Sequence, residues 1–219
     1  MALAIFDLDN TLIANDSDFL WGEFLVKNGY VNADEFSQKN AQFYQDYQQG
    51  CLDITAYQQF ALKPLSEQTL ETLAQWHQAF MQQYIDPILL PKAHALVEKH
   101  RKNGDRLLII TATNTFITRP IGLRYGITEL LGTEGEIKNG RYTGEIAGIP
   151  TFQEGKVIRL NEWLQRENET LEGSFFYSDS HNDLPLLKLV DHPVVVDGDD
   201  TLTKFATQQQ WPIISLRSE

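Results

Sequence analysis

The sequence predicts an α/β fold in which helices cover a parallel sheet and a helical domain is inserted after the first strand. Three observations lead to this prediction. Four short stretches begin apolar and end polar or acidic, helical patterns alternate with them, and residues 15–88 contain no convincing strand. Continuous apolar strands are typical of a parallel sheet covered on both faces, and alternation with helices favours right-handed crossovers. We therefore expect a Rossmann-like core.

The predicted strands open the chain and return in its second half. They are "LAIFDLD" at residues 3–9, "RLLIITAT" at 106–113, "GSFFYSDS" at 173–180 and "HPVVVDGD" at 192–199. Apolar residues at helical spacing predict a helix within residues 92–104, which end in an Asn-Gly pair, and another over residues 155–166. Residues 136–146 predict a β-hairpin that turns at Asn139-Gly140.

The inserted segment, residues 15–88, is predicted to form a cap of four helices. It is rich in Gln, Phe and Tyr at helical spacing, and its short breaks are Asn28-Gly29, Gln49-Gly50 and Pro64. Pro87 and Pro91 mark the return to the core. The predicted domains are therefore a core formed by residues 1–14 and 89–219 and an all-helical cap formed by residues 15–88.

Composition narrows the classes of function. A chain of 219 residues with 42% hydrophobic residues can form one substantial core with an insert. Its net charge of −12 argues against a nucleic-acid partner, and its apolar runs are too short to span a bilayer. Cys51 is the single cysteine, which excludes an internal disulfide, and we expect it to be a small packed side chain. We expect a cytoplasmic monomer or homodimer.

Polar residues end three of the predicted strands. Asp7, Thr111 and Asp179 follow apolar runs, and ligands of open parallel sheets bind at the carboxyl ends of the strands. Asp9 lies two positions beyond Asp7, and two crowded carboxylates repel each other unless a cation or a shared proton is present. A Mg²⁺ ion held by oxygen ligands would explain this arrangement.

Four motifs in this order resemble those of the haloacid dehalogenase-like hydrolases. Asp7-Leu8-Asp9-Asn10-Thr11 fits the first motif, DxDxT, and Thr111 at the end of "LLIIT" fits the second. Lys156, at the start of a predicted helix, fits the third, and "SDSHNDLPLL" at 178–187 fits the fourth. The inserted segment resembles the helical cap of the phosphoserine-phosphatase-like branch. The resemblance spans nearly the whole chain.

The resemblance implies a role for each matching residue. Asp7 would attack phosphorus and form an aspartyl phosphate, and Asp9 would protonate the leaving alcohol and then activate water. Thr111 and Lys156 would hold the phosphoryl oxygens, where charge needs stabilisation. Asn182 is a further candidate for a polar contact with phosphate or a nearby group.

The resemblance also implies a Mg²⁺ site. Its ligands would be Asp7, the backbone carbonyl of Asp9, and Asp179, while Asp183 would support the site or bind the ion directly on occasion. His181 lies between two of these aspartates, but Mg²⁺ prefers oxygen ligands, so we do not expect an imidazole ligand.

The predicted activity is Mg²⁺-dependent hydrolysis of a phosphomonoester in a small phosphorylated metabolite. Three alternatives stay open at this point. The same chemistry could serve a phosphoserine phosphatase, or a phosphotransferase or phosphomutase whose cap excludes water. A catalytically silent binding module is the alternative from another class, and the intact Asp7 and Asp9 argue against it.

Charge in the inserted segment bears on the substrate. No arginine precedes Arg101, whereas the phosphoserine phosphatases that the chain resembles use a cap arginine to bind the substrate carboxylate. Asp16 matches the position of the acidic residue that meets the substrate amine in those enzymes. A cationic alcohol phosphate is therefore expected, with histidinol phosphate as the first candidate and phosphoethanolamine-like esters next. Preference for phosphoserine would require a lysine such as Lys63 to replace the arginine.

Overall fold

The computed structural model describes residues 2–217. These residues form seven strands, which are β1 (Leu3–Phe6), β2 (Arg106–Asn114), β3 (Leu130–Lys138), β4 (Arg141–Ala147), β5 (Phe175–Ser178), β6 (His192–Val196) and β7 (Ile213–Ile214). The α-helices are α1 (Ser17–Lys27), α2 (Ala33–Gln48), α3 (Ile54–Ser66), α4 (Leu70–Phe80), α5 (Pro91–Lys102), α6 (Thr115–Arg124), α7 (Glu154–Glu167), α8 (Leu184–Leu187) and α9 (Asp200–Gln209).

The strands form one sheet in the order β4-β3-β2-β1-β5-β6-β7. All neighbours are parallel except β3 and β4, which form an antiparallel hairpin. This confirms the predicted α/β class and the turn at Asn139-Gly140. Both turn residues have positive φ, 51° and 73°, as a tight two-residue hairpin turn requires.

Helices cover both faces of the sheet, and β1 shows how the sequence achieves this. Ala4 and Phe6 belong to one apolar cluster, whereas Leu3 and Ile5 belong to a second. Successive side chains of a strand point to opposite faces, so a strand buried on both faces must be apolar at every position. The end of β1 is therefore anchored from above and below, which fixes the position of the polar residues that follow it.

The inserted segment contains the four predicted helices, α1 to α4. A five-residue π-helical turn (Met81–Ile85) and a short 3₁₀ turn (Asp86–Ile88) lead back to α5, where Pro91 occupies the first helical position. The predicted break at Pro64 is wrong, because α3 continues to Ser66. Pro64 lies in the last turn of α3 and removes one backbone N–H donor there, so the rest of the helix keeps its hydrogen bonds.

The first helix of the segment is not separate from the sheet. Trp21, Phe24 and Leu25 of α1 are buried in the same apolar cluster as Phe6 of β1. The division of the chain at residues 14/15 and 88/89 stays a prediction. Cys51 is exposed, so the expectation that it packs inside the cap is wrong. Across residues 2–217, none of the helices has the length and apolar character needed to cross a membrane.

Candidate active site

The carboxyl end of β1 is the centre of the site. Because β2 and β5 flank β1, residues that end these three strands emerge at one edge of the sheet. The Thr11 hydroxyl joins two of them, since its Oγ1 lies 3.0 Å from Asp179 Oδ1 and 3.4 Å from Asp7 Oδ2. The structure thus brings together Asp7, Thr111 and Asp179, as the strand pattern predicts.

Lys156 lies beneath Asp7. It is in the first turn of α7, and its Nζ is 2.8 Å from Asp7 Oδ1 and 2.7 Å from Asp183 Oδ1. Burial lowers the pKa of Lys156, but the charges of Asp183 and Asp7 outweigh burial and raise it above its usual range. The ammonium is therefore charged, and Asp183, which also accepts a hydrogen bond of 2.6 Å from Ser178 Oγ, holds it against Asp7.

Asp9 has different hydrogen-bond partners from Asp7. Its Oδ1 accepts from the Ser17 backbone N–H at 2.7 Å, and its Oδ2 accepts from the Thr113 hydroxyl at 2.9 Å and from the Thr111 hydroxyl at 3.5 Å. Burial and repulsion from Asp16 raise the pKa of Asp9 to about 6. A carboxyl group that changes protonation state near neutral pH is suited to general acid–base catalysis.

Burial also dominates the electrostatics of Asp7 and Asp179. It raises the pKa of Asp7 to about 7, with Lys156 opposing the shift and Asp183 adding to it. Burial and then repulsion from Asp7 raise the pKa of Asp179 well above its usual range. A buried and a half-buried carboxylate that disfavour each other's charge are an arrangement that a cation would stabilise.

The predicted Mg²⁺ ligands are only partly assembled. Within residues 2–217, no three carboxylate, imidazole or thiol side chains converge as a metal site. Asp7 and Asp179 share the Thr11 hydroxyl, whereas Asp183 is turned towards Lys156. The all-oxygen chemistry of these groups fits Mg²⁺, and Asp183 contributes here through its ion pair with Lys156.

A cavity opens above Asp7 towards the inserted helices. It has a volume of about 520 Å³, part of it open to solvent, and it is lined by the loop after β1 and by β2, α1, α2 and α3. Its aromatic lining residues are Phe19, Phe43, Tyr44, Tyr47 and Tyr57. Four aspartates line it as well, and none of the described lining residues is lysine, arginine or histidine. The cavity is therefore acidic.

Asp16 and Asp18 are the two cavity aspartates that α1 supplies. Asp16 is the N-cap of α1, and its Oδ1 accepts from the Phe19 backbone N–H at 2.8 Å. Asp18 is 5% exposed. Burial raises the pKa of each to about 7, opposed by the Phe19 N–H for Asp16 and by the Tyr57 hydroxyl for Asp18.

Asn182 is placed differently from the other candidates. Its Nδ2 donates to the Tyr47 backbone carbonyl at 3.1 Å and to Ser180 Oγ at 3.3 Å, and its Oδ1 accepts from Gln153 Nε2 at 2.9 Å. The side chain thus joins the loop after β5 to α2 of the inserted segment. Contact between Asn182 and a phosphoryl group stays a prediction.

Sequence reasoning missed several residues that hold the site together. β2 continues to Asn114, one residue beyond the predicted strand, and Thr113 and Thr111 both reach Asp9. Their i, i+2 spacing on a strand was a signal for a shared face. The Ser17 backbone and Gln58 of α3 had no such signal, because they meet the site only through tertiary packing.

This arrangement agrees with the comparison to a known family. Residues 4–188 match the family model of the haloacid dehalogenase-like hydrolases, and the chain belongs to this family. Within the family, it is a phosphatase. It is 48% identical over 219 residues to the histidinol-phosphatase of Neisseria meningitidis serogroup C (strain 8013), and the match covers 98% of this chain and 99% of that protein.

Solved structures support the fold. A protein of unknown function from Bordetella pertussis Tohama I superposes with a TM-score of 0.93 at 39% identity, covering 99% of both chains. A phospho-aspartyl intermediate analogue of phosphoserine phosphatase superposes with a TM-score of 0.71 at 15% identity, covering 100% of this chain and 94% of that one. The second likeness concerns the fold alone.

Proposed function

We propose that this phosphatase hydrolyses histidinol phosphate through a Mg²⁺-dependent aspartyl-phosphate mechanism. The observation that carries the proposal is the acidic cavity, in which Asp16 and Asp18 face the space above Asp7 and no described lining residue is cationic. Histidinol phosphate has an amine and an imidazole and lacks a carboxylate, so its charge complements this cavity. The 48% identity to a histidinol-phosphatase supports the same substrate.

Phosphoserine is the alternative, and the positions of the lysines argue against it. A buried carboxylate needs a cationic partner. Lys39 and Lys63 line a different groove, between α2 and α3, and Lys39 is paired with Glu35 at 3.0 Å. Lys27 is exposed and lies 5.7 Å from the centre of the Tyr84 ring. A phosphoserine carboxylate in the cavity would therefore meet aspartates rather than a lysine.

The proposed chemistry divides between the two aspartates of the first motif. A carboxylate oxygen of Asp7 attacks phosphorus, and the bond from phosphorus to the ester oxygen breaks. Asp9 in its protonated form gives its proton to the departing alkoxide, and in its ionised form it takes a proton from the water that hydrolyses the aspartyl phosphate. Lys156 and Thr111 supply a positive charge and a hydroxyl next to the transferring group.

A Mg²⁺ ion would balance the negative charge of the Asp7 and Asp179 carboxylates. We assign it to Asp7, the backbone carbonyl of Asp9, and Asp179, because these are oxygen donors and the two carboxylates, one buried and one half-buried, have raised pKa values. When bound, the ion would neutralise negative charge on the carboxylates and the phosphoryl oxygens. Asp16, half-buried beside Asp9, is assigned to the substrate amine.

Turnover of a panel of phosphomonoesters tests the proposal. The panel is histidinol phosphate, phosphoethanolamine and phosphoserine, each assayed with Mg²⁺ and after removal of metal with EDTA. We expect the highest kcat/KM for histidinol phosphate, loss of activity in EDTA, and recovery when Mg²⁺ is restored. A higher kcat/KM for phosphoserine would overturn the substrate, and full activity after exhaustive chelation would overturn the metal.

A further inference from the structure

Two buried acceptor atoms in the cavity lack a hydrogen-bond donor. Asp18 Oδ2 and Gln58 Oε1 have no partner among residues 2–217. Asp18 is 5% exposed and Gln58 is fully buried, and both line the cavity above Asp7. Leaving a buried acceptor unpaired is costly, so such atoms call for an explanation within the fold or from a ligand.

The Tyr57 hydroxyl stabilises the charged Asp18 carboxyl group, but Asp18 Oδ2 itself has no donor among residues 2–217, and neither has Gln58 Oε1. Gln58 is held in place through its other end, because its Nε2 donates to the Ala112 backbone carbonyl at 3.2 Å. The amide therefore bridges α3 and β2 and leaves Oε1 as a spare acceptor. Asp18 lies in the first turn of α1, where a carboxylate interacts favourably with the helix dipole. That interaction also stabilises exposed carboxylates, so it does not require Asp18 to be buried.

We infer that Asp18 and Gln58 form a specificity site for the imidazole ring of the substrate. This inference rests on the proposed function. Asp18 Oδ2 accepts a hydrogen bond from one ring N–H, and Gln58 Oε1 accepts one from the other, which selects the protonated ring. A ring with two N–H donors matches two acceptors supplied by different helices, whereas a carboxylate or a phosphate offers no donor.

The neighbouring side chains suit a flat cationic ring. Phe43 and Tyr57 line the same cavity with ring centroids 5.3 Å apart, and Tyr57 lies next to Asp18. Aromatic faces attract cations as well as other rings. Asp16 then remains for the amine, which is attached one carbon from the ester carbon of histidinol phosphate, while the imidazole lies a further methylene away.

A comparison of substrate fragments with variants tests the assignment. The substrates are histidinol phosphate, 2-aminopropyl phosphate, which keeps the amine and lacks the ring, and 3-(imidazol-4-yl)propyl phosphate, which keeps the ring and lacks the amine. We expect Asp18→Asn to lower kcat/KM for both ring-bearing esters by about 10- to 100-fold, mainly through KM. The loss for 2-aminopropyl phosphate should be at least about 10-fold smaller.

Two further variants complete the design. Asp16→Asn should show the reverse pattern, with the larger loss for the amine-bearing esters. Glu23→Gln removes an exposed carboxylate from the same helix α1 and should leave kcat/KM unchanged for every substrate. Measurable turnover of 2-aminopropyl phosphate by Asp18→Asn shows that the variant is folded.

The outcomes separate the inference from the proposed function. If Asp18→Asn loses the same factor on all three substrates, its role is structural and the inference is wrong, while a wild-type preference for histidinol phosphate would still support the proposed function. If the wild type prefers phosphoserine, the proposed function fails and the ring site fails with it.

Discussion

The aspartates on the floor of the cavity and those on its wall differ in the partners that the protein provides for their carboxylate oxygens. On the floor, at the edge of the sheet, Asp7 contacts Lys156, and Asp9 accepts hydrogen bonds from Ser17 and Thr113. On the wall, formed by the inserted helices, Asp18 Oδ2 has no partner among the described residues. The two floor carboxylates thus have partners within the protein, whereas one oxygen of the wall carboxylate Asp18 has none among residues 2–217.

We interpret this difference as a division between residues that react with the substrate and residues that select it. Reacting groups must be held in one geometry before the substrate arrives, so partners within the protein orient them. A group that selects a substrate can leave its hydrogen-bonding capacity unused, because the correct substrate then satisfies it and a wrong one does not. Disruption of the floor should therefore affect every substrate, and disruption of the wall should affect them selectively.

The largest effect is expected for the nucleophile. Asp7→Asn should lower kcat by at least about 10⁴-fold on every phosphomonoester, because the amide cannot form the covalent intermediate. The melting temperature should change little, because Lys156 keeps Asp183 as a partner. Steady-state kinetics and thermal unfolding measure these effects. Substantial residual turnover in carefully purified variant protein would rule out Asp7 as the nucleophile.

The second-largest effect is expected for Lys156, the buried cation on the floor of the cavity. Lys156→Met should lower the free energy of unfolding by about 3–5 kcal/mol, because Asp7 and Asp183 lose a partner that is 3% exposed. Activity should fall as well. Urea unfolding at pH 7.5 gives the stability. Lys138→Met is the matched control, since Lys138 is exposed and, among residues 2–217, pairs only with Glu136 at 2.9 Å. A loss equal to that of the control would contradict a stabilising role for the buried ion pair.

The pH dependence of the free energy of unfolding tests whether the wall carboxylate Asp18 is buried without a partner. The pKa of Asp18 is raised from 3.8 to about 7 by burial, so the folded protein holds an extra proton between these values and wild-type stability falls as pH rises through them. Asparagine has no such proton. The stability of Asp18→Asn relative to wild type should therefore increase by on the order of 2–4 kcal/mol between pH 4 and pH 8.

Denaturant titrations in the absence of metal measure this difference at each pH. Glu23→Gln serves as the control on the same helix and should track the wild type. A relative stability of Asp18→Asn that is flat across this pH range would show that Asp18 is paired in the folded protein.

The smallest effect is expected for the amine contact. Asp16→Ala should raise KM for histidinol phosphate by about 10- to 100-fold with a much smaller change in kcat, through loss of a charge-assisted hydrogen bond worth about 1.5–3 kcal/mol. Initial-rate kinetics separate the two parameters. A fall in kcat without a change in KM would show that Asp16 acts on the chemical step through Asp9, as the floor residues do, and not on substrate binding.

Much of the fold follows from local patterns. Local sequence predicts β1, β2, β5 and β6 from their apolar runs, and it predicts the hairpin turn from its Asn-Gly pair. This works because strand burial and turn conformation depend on neighbouring residues. Pro64 shows the limit of such patterns. Proline disfavours a helix interior, but packing of α3 and the position of the proline near the helix end outweigh that preference.

The sequence by itself determined the reaction class and the acidic character of the cap, because the motif residues and the absence of arginine before Arg101 need no coordinates. Only the tertiary structure decided which polar groups are paired. Lys156 meets Asp7 across 149 positions, Asn182 meets Tyr47 across 135, and Gln58 meets Ala112 across 54. Such pairings depend on how α1, α2 and α3 pack over the sheet edge, and local sequence does not specify that packing. In our proposal, the two acceptors that this packing leaves unpaired among the described residues, Asp18 Oδ2 and Gln58 Oε1, define the ring-binding part of the substrate site.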